Sequence, residues 1–225
     1  VTAGAEELVS GVVATPTHGR WWARPPAGTP RGILVGFHGY AESGAMHLAE
    51  LRTLPGLDDW ALVAVDALHA FYDRRGERVL RGWMTRELRD EAIADNLAYA
   101  DRVLDQVRGR FGRTLPVALT GFSQGASMAW RAALLGAHEV AAVVALGGDV
   151  PPELATPEAP RPTAPPRVLL ARGDGDEWYS EAKLAEDLRR LAVLGIAAET
   201  LTFPGGHAWA DPFRAAAGAL MASLG

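Results

Sequence analysis

A serine hydroxyl attacks a carbonyl only when a neighbouring base takes its proton. Ser123 stands in Gly121-Phe122-Ser123-Gln124-Gly125, a G-x-S-x-G pattern. The run PVALT at 116–120 precedes it and reads as a buried strand, and a helical pattern over 123–135 follows it at once. A strand–turn–helix junction of this kind forces the serine into a strained backbone conformation with its hydroxyl above the sheet. The flanking glycines suit such a turn, because a side chain there would strike the neighbouring strand or helix. The plainer reading is a serine N-cap with glycines easing a tight turn, and the context favours the nucleophile.

The chain has six histidines. His207, in Phe203-Pro-Gly-Gly-His207-Ala-Trp209, falls in a loop after the last expected strand and before the last helix, and it is the best base. His18, His47, His69 and His138 read as surface or supporting residues. No pair has metal-ligand spacing, so no metal site is expected. An acid that orients the base belongs between Ser123 and His207 in the chain. Gly173-Asp174-Gly175-Asp176 follows the apolar run RVLLA, at the carboxyl end where parallel sheets build their sites. Asp176 is preferred. Asp174 reads as a turn residue bonding local amides. Asp149, after the preceding strand, competes for the same role. His38, in Phe37-His38-Gly39-Tyr40, reads as a brace for its loop. If Ser123 is the nucleophile of such a junction, the backbone amides of Tyr40 in that loop and of Gln124 after the serine are the expected oxyanion donors. Trp83, Trp178 and Trp209 lie on or near the same loops and are the candidate substrate-pocket residues, Trp83 being equally readable as core.

These residues need a scaffold of parallel strands. Short apolar runs at 32–37, 61–65, 116–120, 140–146 and 167–171 fit strands covered on both faces. A weaker run at 197–203 closes the series, and 7–15 with 19–23 reads as two early strands that could pair as a hairpin. Helices are expected over 86–111, where Ile93, Leu97, Ala100, Leu104 and Val107 share one face, and over 123–135. A further helix starts near Ser180, and the last runs from an Asp211 N-cap and Pro212 to about Leu224. Strand alternating with helix argues an α/β fold with a mostly parallel sheet and helices on both faces. The stretch 151–166 holds seven of the 15 prolines and reads as an extended surface connection inside one domain spanning 1–225.

Composition narrows the function. The chain has 225 residues, 48% hydrophobic and 22% charged, which suits a soluble globular protein. A net charge of −5 argues against a nucleic-acid partner. The absence of cysteine excludes thiol nucleophiles, thiolate metal sites and disulfides. No apolar stretch is long enough to span a membrane. Lys183 is the single lysine among 22 basic residues, which reads as solvated surface. The chain starts at Val1 without a basic-then-apolar leader, and a cytoplasmic protein is the expectation.

Four blocks resemble the phospholipase/carboxylesterase family of α/β-hydrolases, which includes bacterial carboxylesterases and acyl-protein thioesterases. They are V-G-F-H-G at 35–39, G-F-S-Q-G-A at 121–126, G-D-G-D at 173–176 and G-G-H at 205–207. Trp83, before the long helix, is similar to a tryptophan of that family. The resemblance implies an α/β-hydrolase fold without a large cap, nucleophile Ser123, acid Asp176, base His207, no cofactor and a small-molecule ester substrate. Three departures stand out. Tyr40-Ala-Glu-Ser replaces a Gly-Asp pairing, Glu177-Trp178 follows Asp176 where a small apolar residue and proline are commoner, and the proline-rich stretch is longer than usual. The expected activity is serine carboxylic-ester hydrolysis on short-chain or aromatic esters. The alternatives are a thioesterase, an enzyme of the dienelactone-hydrolase type, or a catalytically dead hydrolase serving as a binding module.

Overall fold

Apolar runs become strands where helices can cover both faces of the sheet they form. The computed structural model of the chain describes residues 8–156, 162 and 164–224. In β2 (Gly32–Phe37), β3 (Trp60–Val65), β6 (Val117–Phe122) and β7 (Ala142–Leu146) every residue is buried. With β1 (Trp21–Arg24), β8 (Arg167–Gly173) and β9 (Glu199–Phe203) they form a seven-stranded sheet, ordered β1-β3-β2-β6-β7-β8-β9. β1 pairs antiparallel with β3, Trp21 opposite Val65, and the other neighbours run parallel. The outcome is the α/β-hydrolase architecture with a mostly parallel sheet, and no cap domain stands over it among the described residues.

Alternate residues of each strand face opposite sides. On one side α2 (Arg89–Phe111), α3 (Gln124–Leu135) and α4 (Glu181–Val193) pack, and Val103, Leu104, Met128 and Leu191 share one buried cluster with Ile33, Val35 and Leu119. On the other side α1 (Gly44–Leu51) and α5 (Asp211–Ala222) bring Leu51, Phe213 and Leu220 against Leu34, Leu62 and Val144. Each such buried side chain contributes roughly 1.5–3 kcal/mol. This two-sided core holds the carboxyl ends of β2, β6, β8 and β9 together at one edge.

Several expectations need correction. Residues 8–15 form no strand, and residue 7 lies outside the described residues. Leu8 and Val9 are 92% exposed, because β1 takes the sheet edge and the chain before it, interrupted by Pro16, runs over the surface. α2 begins three residues late, after Leu88 enters the left-handed region at φ 46°. Ala210, not Asp211, is the N-cap of α5, so Pro212 is its second residue. The proline-rich stretch opens with a 3₁₀ turn over Pro152–Ala155 that buries Leu154, and 157–161 and 163 lie outside the described residues. A two-stranded hairpin, β4 (His69–Tyr72) with β5 (Val79–Gly82), was not anticipated.

Candidate active site

β6 ends where the chain must turn sharply into α3, and Ser123 absorbs the turn. Its backbone lies at φ 54°, ψ −121°, a conformation that costs an L-residue on the order of 1–3 kcal/mol. The Ser123 N–H donates to Leu146 O at 2.9 Å, and Ser123 O accepts from Ala126 N–H at 3.0 Å. Neighbouring glycines permit the approach. A Cβ on Gly121 would lie 2.3 Å from Gly125 O, and one on Gly125 2.0 Å from Phe37 O. Among the described residues the Ser123 hydroxyl forms no hydrogen bond.

His207 arrives on the loop between β9 and α5, which is laced to the loop after β8. Asp174 N–H donates to Phe203 O at 2.8 Å, Gly175 N–H to Gly205 O at 2.9 Å, and Asp174 Oδ1 accepts from Gly205 N–H at 3.0 Å. The imidazole packs on Phe122 with ring centroids 4.8 Å apart. Its Nδ1 lies 2.8 Å from Asp176 Oδ2. Asp176 is buried, and its other oxygen accepts the N–H groups of Trp178 and Tyr179, each at 2.8 Å. A carboxylate facing Nδ1 fixes the proton there and leaves Nε2 as the acceptor. Gly147 and Gly148 bring this pair and the serine turn together. A Cβ on Gly147 would lie 3.0 Å from the His207 ring, and one on Gly148 2.2 Å from Ser123 O.

Asp176 is thus the candidate acid that reaches His207. Asp149 is half-exposed, 3.5 Å from Lys183 Nζ, and its carbonyl accepts from the Ser127 hydroxyl. Asp174 does more than fill a turn, since it ties the acid loop to the histidine loop. Sequence reasoning missed the support beneath Asp176. The Tyr179 hydroxyl donates to buried Asp187 at 2.8 Å, and Asp187 also accepts from Val150 N–H and Arg190. Burial pushes the Asp187 carboxyl up, against the pull of the Val150 and Tyr179 hydrogen bonds. Arg172 closes the loop by donating to Tyr179 O at 2.9 Å.

The loop after β2 is pinned as firmly. His38 is fully buried, Nδ1–H donating to Gly39 O at 2.7 Å and Nε2 accepting from Ala67 N–H at 3.1 Å. Burial lowers its pKa from the ordinary value, so the ring is a neutral brace. Trp83 is also fully buried, its indole N–H donating to His38 O at 2.8 Å, so it supports this loop from beneath and presents no surface to a pocket. The Gln124 side chain accepts from Trp83 N–H and donates to Met84 O. Among the described residues neither the Tyr40 nor the Gln124 backbone N–H has a hydrogen-bond acceptor. The Gln124 amide also opens α3, where a helix presents unpaired donors and its positive dipole end. Trp209 is half-buried against His47, Phe122 and Phe213, whereas Trp178 is 73% exposed beside Asp176. The exposed Tyr40 ring stacks on Phe71 at 5.4 Å and opens a cleft of about 780 Å³ along the β4–β5 hairpin, lined also by Tyr72, Arg74, Arg75 and Leu80.

Comparison with known proteins places the chain in a family and a fold. Residues 25–180 match the family model described as Phospholipase/Carboxylesterase. Esterase PE8 superposes with a TM-score of 0.74 at 26% identity, over 92% of this chain and all of that one. The Bacillus cereus carboxylesterase gives 0.75 at 15% identity, over 92% and 95% of the two chains. Zea mays acyl-protein thioesterase 2 gives 0.67 at 18% identity, over 92% and 100%. The last two likenesses concern the fold alone. No curated protein matches the sequence significantly.

Proposed function

The chain belongs to the phospholipase/carboxylesterase family of α/β-hydrolases, and from that premise we propose that it cleaves carboxylic esters through an acyl-enzyme on Ser123. Ser123 attacks the ester carbonyl while His207 Nε2 takes its proton. Asp176 holds the imidazole in the required tautomer and supports its charge when it becomes imidazolium. The negative charge on the carbonyl oxygen is met by the Tyr40 and Gln124 amides. His207 returns the proton to the departing alcohol, and water then cleaves the acyl-enzyme by the same route. The observation that carries this reading is the 2.8 Å His207–Asp176 hydrogen bond beside the strained Ser123 turn.

Aromatic surfaces favour short or flat aromatic esters. Tyr40 with Phe71 on one side and Trp178 near the acid loop offer rings to a substrate, whereas Trp83 is withdrawn into the core. The test pairs a fluorophosphonate probe with p-nitrophenyl esters of increasing acyl length. The probe should label the wild-type chain and not Ser123→Ala, whose kcat should fall by roughly 10⁴–10⁶. The kcat/KM should peak at short or aryl acyl groups. Labelling of Ser123→Ala would remove the nucleophile, and a kcat/KM still climbing at twelve carbons would remove the short-ester preference.

A further inference from the structure

Two consecutive peptides determine where the Tyr40 N–H points, and each is tethered by named groups. In the His38–Gly39 peptide the carbonyl accepts the Trp83 indole N–H at 2.8 Å, and the Gly39 N–H donates to Glu42 Oε2 at 2.7 Å. In the Gly39–Tyr40 peptide the carbonyl accepts His38 Nδ1–H at 2.7 Å. A trans peptide is planar, with N–H opposite to C=O. With its carbonyl drawn to the His38 ring, the second peptide must send the Tyr40 N–H the other way. Gly39 is the joint between the two planes, and as a glycine it resists rotation little by itself. Among the described residues Glu42 is the one side chain that holds the N–H of that joint.

The chain bends to put Glu42 there. Ala41 adopts φ 60°, a left-handed conformation that an L-residue enters at a cost of roughly 1–2 kcal/mol. Ala41 N–H donates to Arg81 O at 2.9 Å and Arg81 N–H to Glu42 O at 2.8 Å, so β5 clamps the turn from outside. The carboxylate then lies under Gly39, where a Cβ on that glycine would meet it at 3.2 Å and the Phe122 ring at 3.1 Å. Burial pushes the Glu42 carboxyl up, the Gly39 N–H opposes this, Glu50 adds to it, and His207 pulls the other way. A carboxyl group kept half-buried at this cost, with no part in proton transfer, needs another reason to be there. Charged or protonated, it still offers an oxygen to the Gly39 N–H.

We propose that Glu42 is a positioning residue of the oxyanion hole: its carboxylate holds the Gly39 N–H and so keeps the Tyr40 N–H aimed at the carbonyl oxygen of an ester bound at Ser123. The inference rests on the serine-esterase reading above. Glu42 touches neither substrate nor reacting atoms, so it acts on the transition state and leaves substrate binding alone. Removing one donor from such a hole lowers kcat by about 10²–10³, and loosening one should cost about 10–100-fold.

The experiment compares Glu42→Met, which keeps the length without an acceptor, with Glu42→Gln, which keeps an acceptor oxygen without the charge. Each is assayed for kcat and KM on p-nitrophenyl acetate and for inhibition by a trifluoromethyl ketone, which forms an oxyanion on the serine. Glu42→Met should lose about 10–100-fold in kcat with KM within threefold, and should bind the ketone weaker by the same factor. Glu42→Gln should stay within about threefold of wild type on all three measures. Glu42→Ala replaces Glu42→Met if the longer side chain disturbs folding. Wild-type kcat in Glu42→Met, a loss confined to KM, or equal losses in Met and Gln variants would each overturn the proposal. Fluorophosphonate labelling of the wild-type chain separates the two ideas. No labelling at Ser123 sinks the esterase reading, whereas normal labelling with an unimpaired Glu42→Met sinks only the role of Glu42.

Discussion

Each residue of the proposed triad has a distinct local reason for its place, and the acid is where those reasons can be told apart. Asp176 spends one oxygen on the Trp178 and Tyr179 amides and the other on His207. In Asp176→Asn the amide NH₂ can turn toward Nδ1, favouring the tautomer whose Nε2 already carries a proton. The kcat should then drop by about 10⁴ with the fold intact. Asp149→Asn breaks only a half-exposed contact with Lys183 and should stay within about tenfold of wild type on the same p-nitrophenyl ester. If Asp149→Asn suffers the larger loss, the acid comes from β7 and the triad is misassigned. Ser123 was legible because glycines bracket it directly after a strand, and His207 because a Gly-Gly pair precedes it in the short loop after the last strand. The acid was less so, since Asp149, Asp174 and Asp176 all follow strand ends. The path of the loop over the sheet chooses among them, and no spacing rule encodes that path. The roles of Glu42 and Asp187 follow no spacing rule, because Glu42 holds backbone folded back on itself and Asp187 gathers Val150 N–H, Tyr179 and Arg190 from separate segments.

At the scale of elements, the site depends on how closely α3 lies against β2. Gly125 sets that distance, for an added Cβ would meet Phe37 O at 2.0 Å and His38 O at 2.5 Å, both rigid backbone atoms. Gly125→Ala must therefore push α3 away from β2 or displace the loop that carries Tyr40. Its expected result is a thermal midpoint lower by several degrees together with a kcat loss of about 10²-fold or more, as two oxyanion donors separate. Gly109→Ala on α2 is the matched control. Its nearest new neighbour is an Arg113 side-chain nitrogen at 3.9 Å, and relief of glycine's entropy in a helix should raise stability by about 0.5–1 kcal/mol. Calorimetry on both variants checks the pair, and a Gly125→Ala chain as stable and active as wild type would refute the packing argument. The central strands could be read from sequence because burial on both faces leaves a continuous apolar run. The β4–β5 hairpin could not, since β4 is mostly exposed and β5 buries only Gly82, so neither four-residue strand carries that signature. Nor could α1, which is eight residues long and begins with a glycine. It is held by Ser43 accepting from Met46 N–H and by Asp66 accepting from Gly44 N–H at 2.7 Å.

At the scale of the whole molecule, a buried histidine outside the proposed chemistry ties folding to pH. His47 on α1 is fully buried between β2 and Trp209, in space left by Gly36, where a Cβ would meet its ring at 2.5 Å. Among the described residues neither ring nitrogen has a hydrogen-bond partner. Burial, with a smaller push from His38, lowers its pKa from 6.5 to about 3. Between those values the unfolded chain binds a proton that the folded chain refuses. The stability that comes from keeping His47 neutral is therefore complete above pH 6.5 and is lost progressively as pH falls toward 3. At about 1.4 kcal/mol per unit, acidification to pH 5 should cost roughly 2 kcal/mol through this one group. His38, lowered in the same direction, adds to the effect. Replacing His47 with Leu removes the titration and leaves an apolar side chain in an apolar slot. Urea unfolding at pH 7 and pH 5 should show the wild-type midpoint falling on acidification and the His47→Leu midpoint falling distinctly less. The variant should keep its esterase activity at pH 7, because α1 still anchors the loop that carries Glu42 and Tyr40. Parallel losses in the two chains would mean that another group governs the acid limb. A larger loss in His47→Leu would mean that the imidazole is stabilising at low pH, the reverse of what its burial requires.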